Sequence, residues 1–181
     1  IDKKKQMLKI AKERYDQVNT IKRKIYFNDK IKKLPENIDL AIIATNSFER
    51  KNVINDLIKN KKVKNLILEK FCFQNVKDFN YFEKLFIKKK IKAYVNTPLR
   101  TYKVYKKIRK KLLGKNFQMT VYGSQWGLCS NSIHYLDTFC FLNGDNRISL
   151  SKNFFSESIV KTKRSGTYEF SGEARFDGLK K

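Results

Sequence analysis

Hydrophobic and polar positions follow two periods along the first half of the chain. Continuous apolar runs predict strands at residues 39–44, 63–68 and 91–95, and the first run is typical of a strand covered on both faces. Between them, apolar side chains recur at helical spacing over residues 48–60 and 76–90. Strands that alternate with helices through short connections form right-handed crossovers and a parallel sheet. The pattern therefore predicts an α/β fold with three adjacent parallel strands.

The flanking segments predict further elements. A polar helix is expected over residues 3–18 and a short strand over residues 24–27. After Thr97 and Pro98 the pattern changes, and it predicts four more elements: a basic helix at 102–113, a half-buried strand at 117–122, an apolar helix at 133–142, and a hairpin with strands at 159–163 and 167–176 around Ser165 and Gly166. We therefore expect an α/β domain at residues 1–98 and an α+β domain at residues 99–181.

The high positive charge of the chain suggests a second class of function, nucleic-acid binding. The 181 residues include 41 Lys and Arg against 17 Asp and Glu, a net charge of +24, and clustered basic residues bind nucleic-acid phosphates. Basic residues are spread through nearly every segment, however, so solvated helix faces and compositional bias are favoured. Specific nucleic-acid binding is not expected, and a basic RNA- or ribosome-associated protein remains the alternative. The 41% hydrophobic content excludes a disordered tail.

The cysteines and the lengths of the apolar runs indicate where in the cell the protein is expected. Cys72, Cys129 and Cys140 form no CxxC or Cys/His cluster, which argues against a disulfide framework and a zinc site and favours a reducing cytoplasm. No apolar run approaches the ~20 residues of a membrane span. The chain opens without Met or a secretory signal, so we expect it to begin in mid-protein.

Polar residues follow the first predicted strand, at the edge where ligands of parallel sheets bind. Ala44, Thr45 and Asn46 precede a helix, whose free N–H groups can hold a phosphate or a ribose. On spacing alone, plain helix capping by Asn46 or Ser47 is favoured.

The next two strand ends carry charged and amide groups. Glu69 and Lys70 leave the second strand as an adjacent acid and base, which could be a solvated charge pair or part of a site. Asn96 follows the third strand, and Arg100 after it is either a surface charge or an anion ligand.

A fourth polar group surrounds the single tryptophan and the single histidine of the chain, Trp126 and His134. Asn131 and Ser132 resemble helix starters, and His134 and Asp137 share a helix face. A lone histidine is more often structural, but its place in the first turn of an apolar helix also fits a catalytic role.

Three of these segments, in this order, resemble motifs of the Gfo/Idh/MocA family of NAD(P)-dependent sugar oxidoreductases. Residues 42–46 are similar to its strand-end loop beside the cofactor, Glu69–Lys70–Phe71 to its Glu-Lys-Pro motif, and residues 133–137 to its catalytic helix. The chain departs from the family at Phe71, which replaces Pro, at Ser130, which replaces Asp, and at Arg50, where members often have His.

The resemblance implies residue roles. Lys70 would position substrate and nicotinamide, and His134 would transfer the hydroxyl proton that hydride transfer releases. Asp2, at the end of an expected strand, would bind the adenine ribose and weakly favour NAD over NADP. The implied cofactor contacts are Asp2, Ala44, Thr45, Asn46, Glu69 and Lys70, and the implied substrate contacts are Lys70, Asn96, Arg100, Trp126, Asn131 and His134.

The resemblance also implies a larger protein. Residues 1–98 would be a partial dinucleotide-binding Rossmann domain and residues 99–181 a partial substrate domain. None of the seven glycines forms the GxGxxG phosphate loop, so an internal fragment of the enzyme is expected, or else a genuinely short relative. The expected ligands are NAD or NADP and a sugar or sugar nucleotide, with a homo-oligomeric assembly. The departures leave a non-catalytic scaffold as a further alternative.

Overall fold

The three apolar runs form one parallel sheet. In the computed structural model, strand β1 is Asn37–Ile43, β2 is Lys62–Leu68 and β3 is Lys92–Val95, and the spatial order is β1-β2-β3. Both neighbouring pairs are parallel and in register. The predicted α/β class and the parallel arrangement of these strands are confirmed.

The chain divides into two units. Unit 1 is Ile1–Asn96 and contains the parallel sheet, and unit 2 is Thr97–Lys181. The structure describes residues 1–20, 24–162 and 166–178.

The described part of unit 1 has three α-helices and a core on one side of its sheet. Helix α1 is Lys5–Val18, α2 is Ser47–Asn60 and α3 is Val76–Lys88. Helix α1 has no buried residue, so the core comes from the sheet, from α2 and α3, and from the adjoining loops. Its members are Ile43, Ile54, Leu57, Ile58, Val63, Leu66, Leu68, Cys72, Phe73, Phe82, Phe86 and Ile91.

The other face of the sheet is open, which corrects the prediction of a first strand covered on both faces. Leu40 and Ile42 of β1 and Tyr94 of β3 are 50%, 63% and 58% exposed. Successive right-handed crossovers in the order β1-β2-β3 place both connecting helices on the same side. The apolar run is therefore continuous in sequence but is buried on one side only.

Two predicted strand segments in unit 1 are not strands. Residues 24–27 belong to no strand and have no partner strand among the described residues. Ile1 and Asp2 are also outside any strand, and the backbone N–H of Asp2 donates to Asn28 O at 3.2 Å. A strand needs a neighbour for its backbone groups, which local pattern alone does not supply.

Unit 2 has two helices followed by a long hairpin. After a 3₁₀ turn at Pro98–Thr101, helix α4 is Lys103–Leu112 and α5 is Leu128–Asn143. Strands β4 (Ile148–Lys161) and β5 (Tyr168–Gly178) are antiparallel. The hairpin is confirmed and β4 begins earlier than predicted, while position 165 of the predicted turn lies outside the described residues. None of the helices in the described parts of the chain is long and apolar enough to cross a membrane.

The predicted strand at 117–122 is also wrong. These residues belong to no strand, and Tyr122 is 92% exposed. Phe117 packs its ring against Phe139 of α5, with centroids 5.4 Å apart. Its alternating pattern therefore reflects packing against a helix, and the segment has no strand partner in the described part of the chain.

Candidate functional site

The carboxyl ends of the three parallel strands lie at one edge of unit 1. The N–H of Glu69 donates to Ile43 O at 3.1 Å, and the N–H of Asn96 donates to Leu68 O at 2.8 Å. These bonds extend the sheet one residue beyond β2 and β3. The side chains of Glu69 and Asn96 also meet, since the Asn96 amide donates to Glu69 Oε1. Two of the predicted strand-end residues are therefore brought together.

The loop after β1 is organised by helix capping. Asn46 Oδ1 accepts a hydrogen bond from the N–H of Glu49 at 2.9 Å, so Asn46 caps α2. The Ser47 hydroxyl accepts from the Gln74 side chain. The capping interpretation of this loop is confirmed for Asn46, while Ala44 and Thr45 remain exposed at the same edge.

A buried arginine joins two of the strand-end loops. Arg50 of α2 is only 1% exposed, and its guanidinium donates to the carbonyl oxygens of Thr45, Glu69, Phe71 and Cys72. Burial lowers the pKa of Arg50 below its ordinary value, although nearby Cys72 and Glu69 act in the opposite direction. Arg50 therefore fixes the loop after β1 against the loop after β2.

Lys70 lies on the loop that Arg50 holds. The carbonyls of Glu69 and Phe71, on either side of Lys70, both accept from Arg50 Nη1. Lys70 itself is half-buried, and the peptide bond between Lys70 and Phe71 is cis. The backbone around the predicted catalytic lysine is thus tied to the helix that follows β1.

Sequence analysis did not identify this role of Arg50, although a signal was present. Arg50 lies four residues before Ile54 and seven before Leu57, on the buried face of α2. A lone cation at an apolar helical position predicts a buried group that needs several acceptors.

Asp2 has a local role. Its carboxylate accepts a hydrogen bond from the N–H of Lys4 at 2.8 Å just before α1, and the side chain is exposed. Its contact with an adenine ribose stays a prediction.

Unit 2 contains a cavity beside α5. Its volume is about 220 Å³, and it is lined by Pro98, Leu99, Trp126, Asn131, His134 and Tyr135. Three predicted substrate contacts, Trp126, Asn131 and His134, thus line one cavity. The Trp126 and Tyr135 rings meet edge to face with centroids 5.2 Å apart, and the Asn131 amide donates to Trp126 O. These contacts hold the loop before α5 against its first turns.

The start of α5 is capped by a carboxylate from the hairpin. Glu169 of β5 accepts from the N–H groups of Cys129 at 2.8 Å and Ser130 at 3.0 Å. Gly127, at φ +71°, turns the chain into the helix. The predicted start at Asn131 and Ser132 is therefore wrong, because the cap comes from a residue 39 to 40 positions away.

Arg100 is engaged in an ion pair. Its Nε lies 2.7 Å from Asp137 Oδ2, and its Nη2 donates to Oδ1 of the same carboxylate. The pair ties the 3₁₀ turn to α5 one turn beyond His134. The assignment of Arg100 to substrate binding stays a prediction. Lys70 and His134 lie in different units, so the convergence of their side chains on one pocket also stays a prediction.

Comparison with known proteins supports the fold. No family model matches the chain, and no curated protein matches it. The structure is similar to that of "a putative oxidoreductase" from Bacteroides fragilis, with a TM-score of 0.53 and 19% sequence identity over 87% of this chain. The chain spans 46% of the length of that protein. At this identity the likeness shows the mixed α/β, Rossmann-like fold.

Proposed function

We propose that the chain is part of an NAD(P)-dependent oxidoreductase of the Gfo/Idh/MocA type that acts on a hydroxyl or carbonyl of a sugar or sugar nucleotide. One observation carries the proposal: a Glu-Lys pair leaves the carboxyl end of a parallel strand on a loop whose backbone a buried arginine fixes. Ligands of open α/β sheets bind at this edge. The family resemblance and the likeness in fold to an oxidoreductase support the same function.

The residues of unit 1 fit one part of the cofactor. Thr45, Glu69 and Asn96 offer hydroxyl, carboxylate and amide groups at the sheet edge, which suit a ribose and a nicotinamide amide. A phosphate loop requires glycine where the backbone approaches the diphosphate, and unit 1 contains no glycine at all. The diphosphate cradle would belong to a further βα unit of the whole protein.

Lys70 and His134 would share the chemistry at the reacting oxygen. A bound nicotinamide supplies the site that accepts or donates hydride. His134 would take the hydroxyl proton from an alcohol substrate or return it to a carbonyl. The Lys70 ammonium would stabilise negative charge on the same oxygen.

The test is hydride transfer by the whole protein, followed at the nicotinamide absorbance with sugars and sugar nucleotides. His134→Asn is expected to leave cofactor binding nearly intact and to lower turnover by ~10²–10⁴. Lys70→Ala is expected to lower both substrate affinity and turnover. Lys64→Ala is the matched control, because Lys64 lies in β2, the strand before the Lys70 loop, but pairs with Asp39 at 2.7 Å. Wild-type turnover in His134→Asn would overturn the role of His134, and no turnover by the wild-type whole protein with any of these substrates would favour the non-catalytic scaffold alternative.

A binding measurement addresses the cofactor separately. The 181-residue chain by itself is expected to bind NADH or NADPH weakly or not at all, because it carries no glycine-rich loop. Calorimetric titration of the chain and of the whole protein would show whether binding depends on the further unit. Tight binding of NADH or NADPH by the chain alone would contradict the proposal that a further βα unit binds the diphosphate.

A further inference from the structure

Helix α4 differs in charge from the other α-helices that the structure describes. Its ten residues, Lys103–Leu112, contain five lysines and one arginine and no acidic residue. Each of the other four α-helices contains at least one Asp or Glu. The high net charge of the chain is thus locally uncompensated on this helix.

The five lysines lie on one face. They recur at positions i, i+3, i+4, i+7 and i+8, which are neighbours on a helix surface. We call this face the lysine stripe: Lys103, Lys106, Lys107, Lys110 and Lys111. All five are exposed, and none makes an ion pair within the described parts of the chain.

Another face of α4 packs within unit 2, where Arg109 contacts α5. Arg109 donates from Nε to Phe141 O at 2.7 Å, and its guanidinium lies 5.0 Å from the Phe141 ring centroid. Tyr105, Ile108 and Leu112 are half-buried. Because these three residues already pack within unit 2, Val104 is the one largely exposed apolar residue of α4, at 55%, and a single such residue offers little area to insert into a lipid surface.

Several lysines elsewhere in the described part of the chain have close acidic partners. Lys33 pairs with Asp29, Lys51 with Asp78 and Lys64 with Asp39, at 2.6 to 2.7 Å. Like charges three and four residues apart on a helix repel each other. A row of anions along α4 would remove that repulsion in the lysine stripe.

We propose that the lysine stripe binds the phosphate backbone of single-stranded RNA without reading its sequence. Neighbouring stripe positions are ~5–6 Å apart on the helix surface, which suits successive or alternate phosphates of a strand that adapts its path. Contacts to phosphate give affinity but no sequence information. This binding surface is independent of the proposed oxidoreductase chemistry.

The test measures binding of the chain to a fluorescent oligouridine of ~16 nucleotides by anisotropy over a range of salt concentrations. The stripe variant carries Lys103→Gln, Lys106→Gln, Lys107→Gln and Lys110→Gln. Each lost phosphate contact reduces the slope of log K against log salt by ~0.7, so the slope is expected to fall by about 3. Affinity at low salt is expected to fall at least tenfold. Gln has a helix propensity close to that of Lys, so α4 should persist, which circular dichroism checks.

The matched control removes the same charge elsewhere. Lys12→Gln, Lys59→Gln, Lys84→Gln and Lys88→Gln change four exposed lysines of unit 1 and are expected to leave the slope nearly unchanged. A second stripe variant keeps the charge and carries Lys103→Arg, Lys106→Arg, Lys107→Arg and Lys110→Arg. It should bind RNA as the wild type does. Equal loss in both Gln variants would show that only net charge matters, and would overturn the proposal.

A second probe addresses a membrane partner. The chain and the stripe variant are sedimented with vesicles that contain phosphatidylserine. If the stripe variant loses vesicle binding but retains wild-type RNA binding, the surface is a lipid-binding one and the proposal is wrong. Loss of RNA binding across oligouridine, oligoadenine and mixed sequences alike supports it.

Discussion

The two units hold their polar groups in place by different means. In unit 1, Arg50 is surrounded by an apolar core and organises backbone carbonyls from inside the fold. In unit 2, the buried residues among those described are only Thr97, Thr138, Cys140 and Leu142. There, two contacts that are partly exposed tie the elements together: the ion pair of Arg100 with Asp137, and the Glu169 carboxylate that accepts from backbone N–H groups at the start of α5.

This difference has an energetic consequence. Burial of apolar area and saturation of buried polar groups are each worth several kcal/mol at one position. Ion pairs and caps near the surface are typically worth ~1 kcal/mol. Single substitutions should therefore have larger effects on stability in unit 1 than in unit 2.

The largest expected effect comes from the aromatic core of unit 1. Phe82 is 1% exposed and stacks on Phe73 with ring centroids 4.7 Å apart. Phe82→Ala is expected to lower the free energy of unfolding by about 3–5 kcal/mol, because it leaves a cavity. The matched control is Phe154→Ala on the hairpin, where the side chain is exposed. It is expected to lower the free energy of unfolding by less than about 1 kcal/mol. Urea unfolding followed by circular dichroism measures both, and equal costs would contradict the contrast between the units.

A somewhat smaller effect is expected at the buried arginine. Arg50→Met removes the donor for four backbone carbonyls and is expected to cost about 2–4 kcal/mol. Arg147→Met, which removes an exposed pair with Asp145, should produce no measurable change. Circular dichroism reports on the whole chain and Trp126 fluorescence on unit 2. A fluorescence transition that moves as far as the dichroism transition would argue against a local role of Arg50.

The helix cap in unit 2 should have a still smaller effect. Glu169→Gln removes a charged acceptor from the first N–H groups of α5 and is expected to cost ~1 kcal/mol. Trp126 fluorescence during urea unfolding measures this loss of stability, because Trp126 lies two residues before the start of α5. The control is Glu173→Gln on the same strand, which removes an exposed pair with Arg175 and should leave the transition in place. A Glu169 variant that unfolds like the wild type would show that the cap does not stabilise α5.

The smallest effect is a difference in thiol reactivity. Burial raises the pKa of Cys72, Cys129 and Cys140, so less of each thiol is ionised at neutral pH than in a free cysteine. Alkylation by iodoacetamide at pH 7 should be slow and should accelerate as the pH rises above the ordinary range of thiols. Cys129, which is half-buried, should react first, and all three should react readily in denaturant. Rapid labelling of native Cys72 at pH 7 would be inconsistent with its burial.

The contrast also explains which predictions from sequence succeeded. In unit 1, the apolar runs gave the three parallel strands, because each run is long enough to identify a strand without its neighbours. The short segment at 24–27 has strand-like residues but no partner, and the alternation at 117–122 belongs to a loop that packs on α5. Whether such a segment becomes a strand depends on whether the fold places a second strand beside it. That depends on residues far away in the sequence and not on the local pattern.

The candidate sites divide in the same way. Sequence identified the strand ends and the capping by Asn46, which depends on a residue three positions away. It also located Trp126, Asn131 and His134, which the fold brings to one cavity. It did not identify the roles of Arg50 and Glu169, because their partners lie up to 22 and 40 positions away in sequence.

The sequence alone determined the alternation of strands and helices in unit 1, the end of α5 to within one residue of the predicted 142, and the charge of α4. Each of these follows from spacing or composition within a short window. Tertiary structure alone decided which face of the sheet is covered, which carbonyls surround Arg50 and which carboxylate caps α5. These features depend on how elements pack, because a buried donor or acceptor is satisfied by whatever group the fold brings near it.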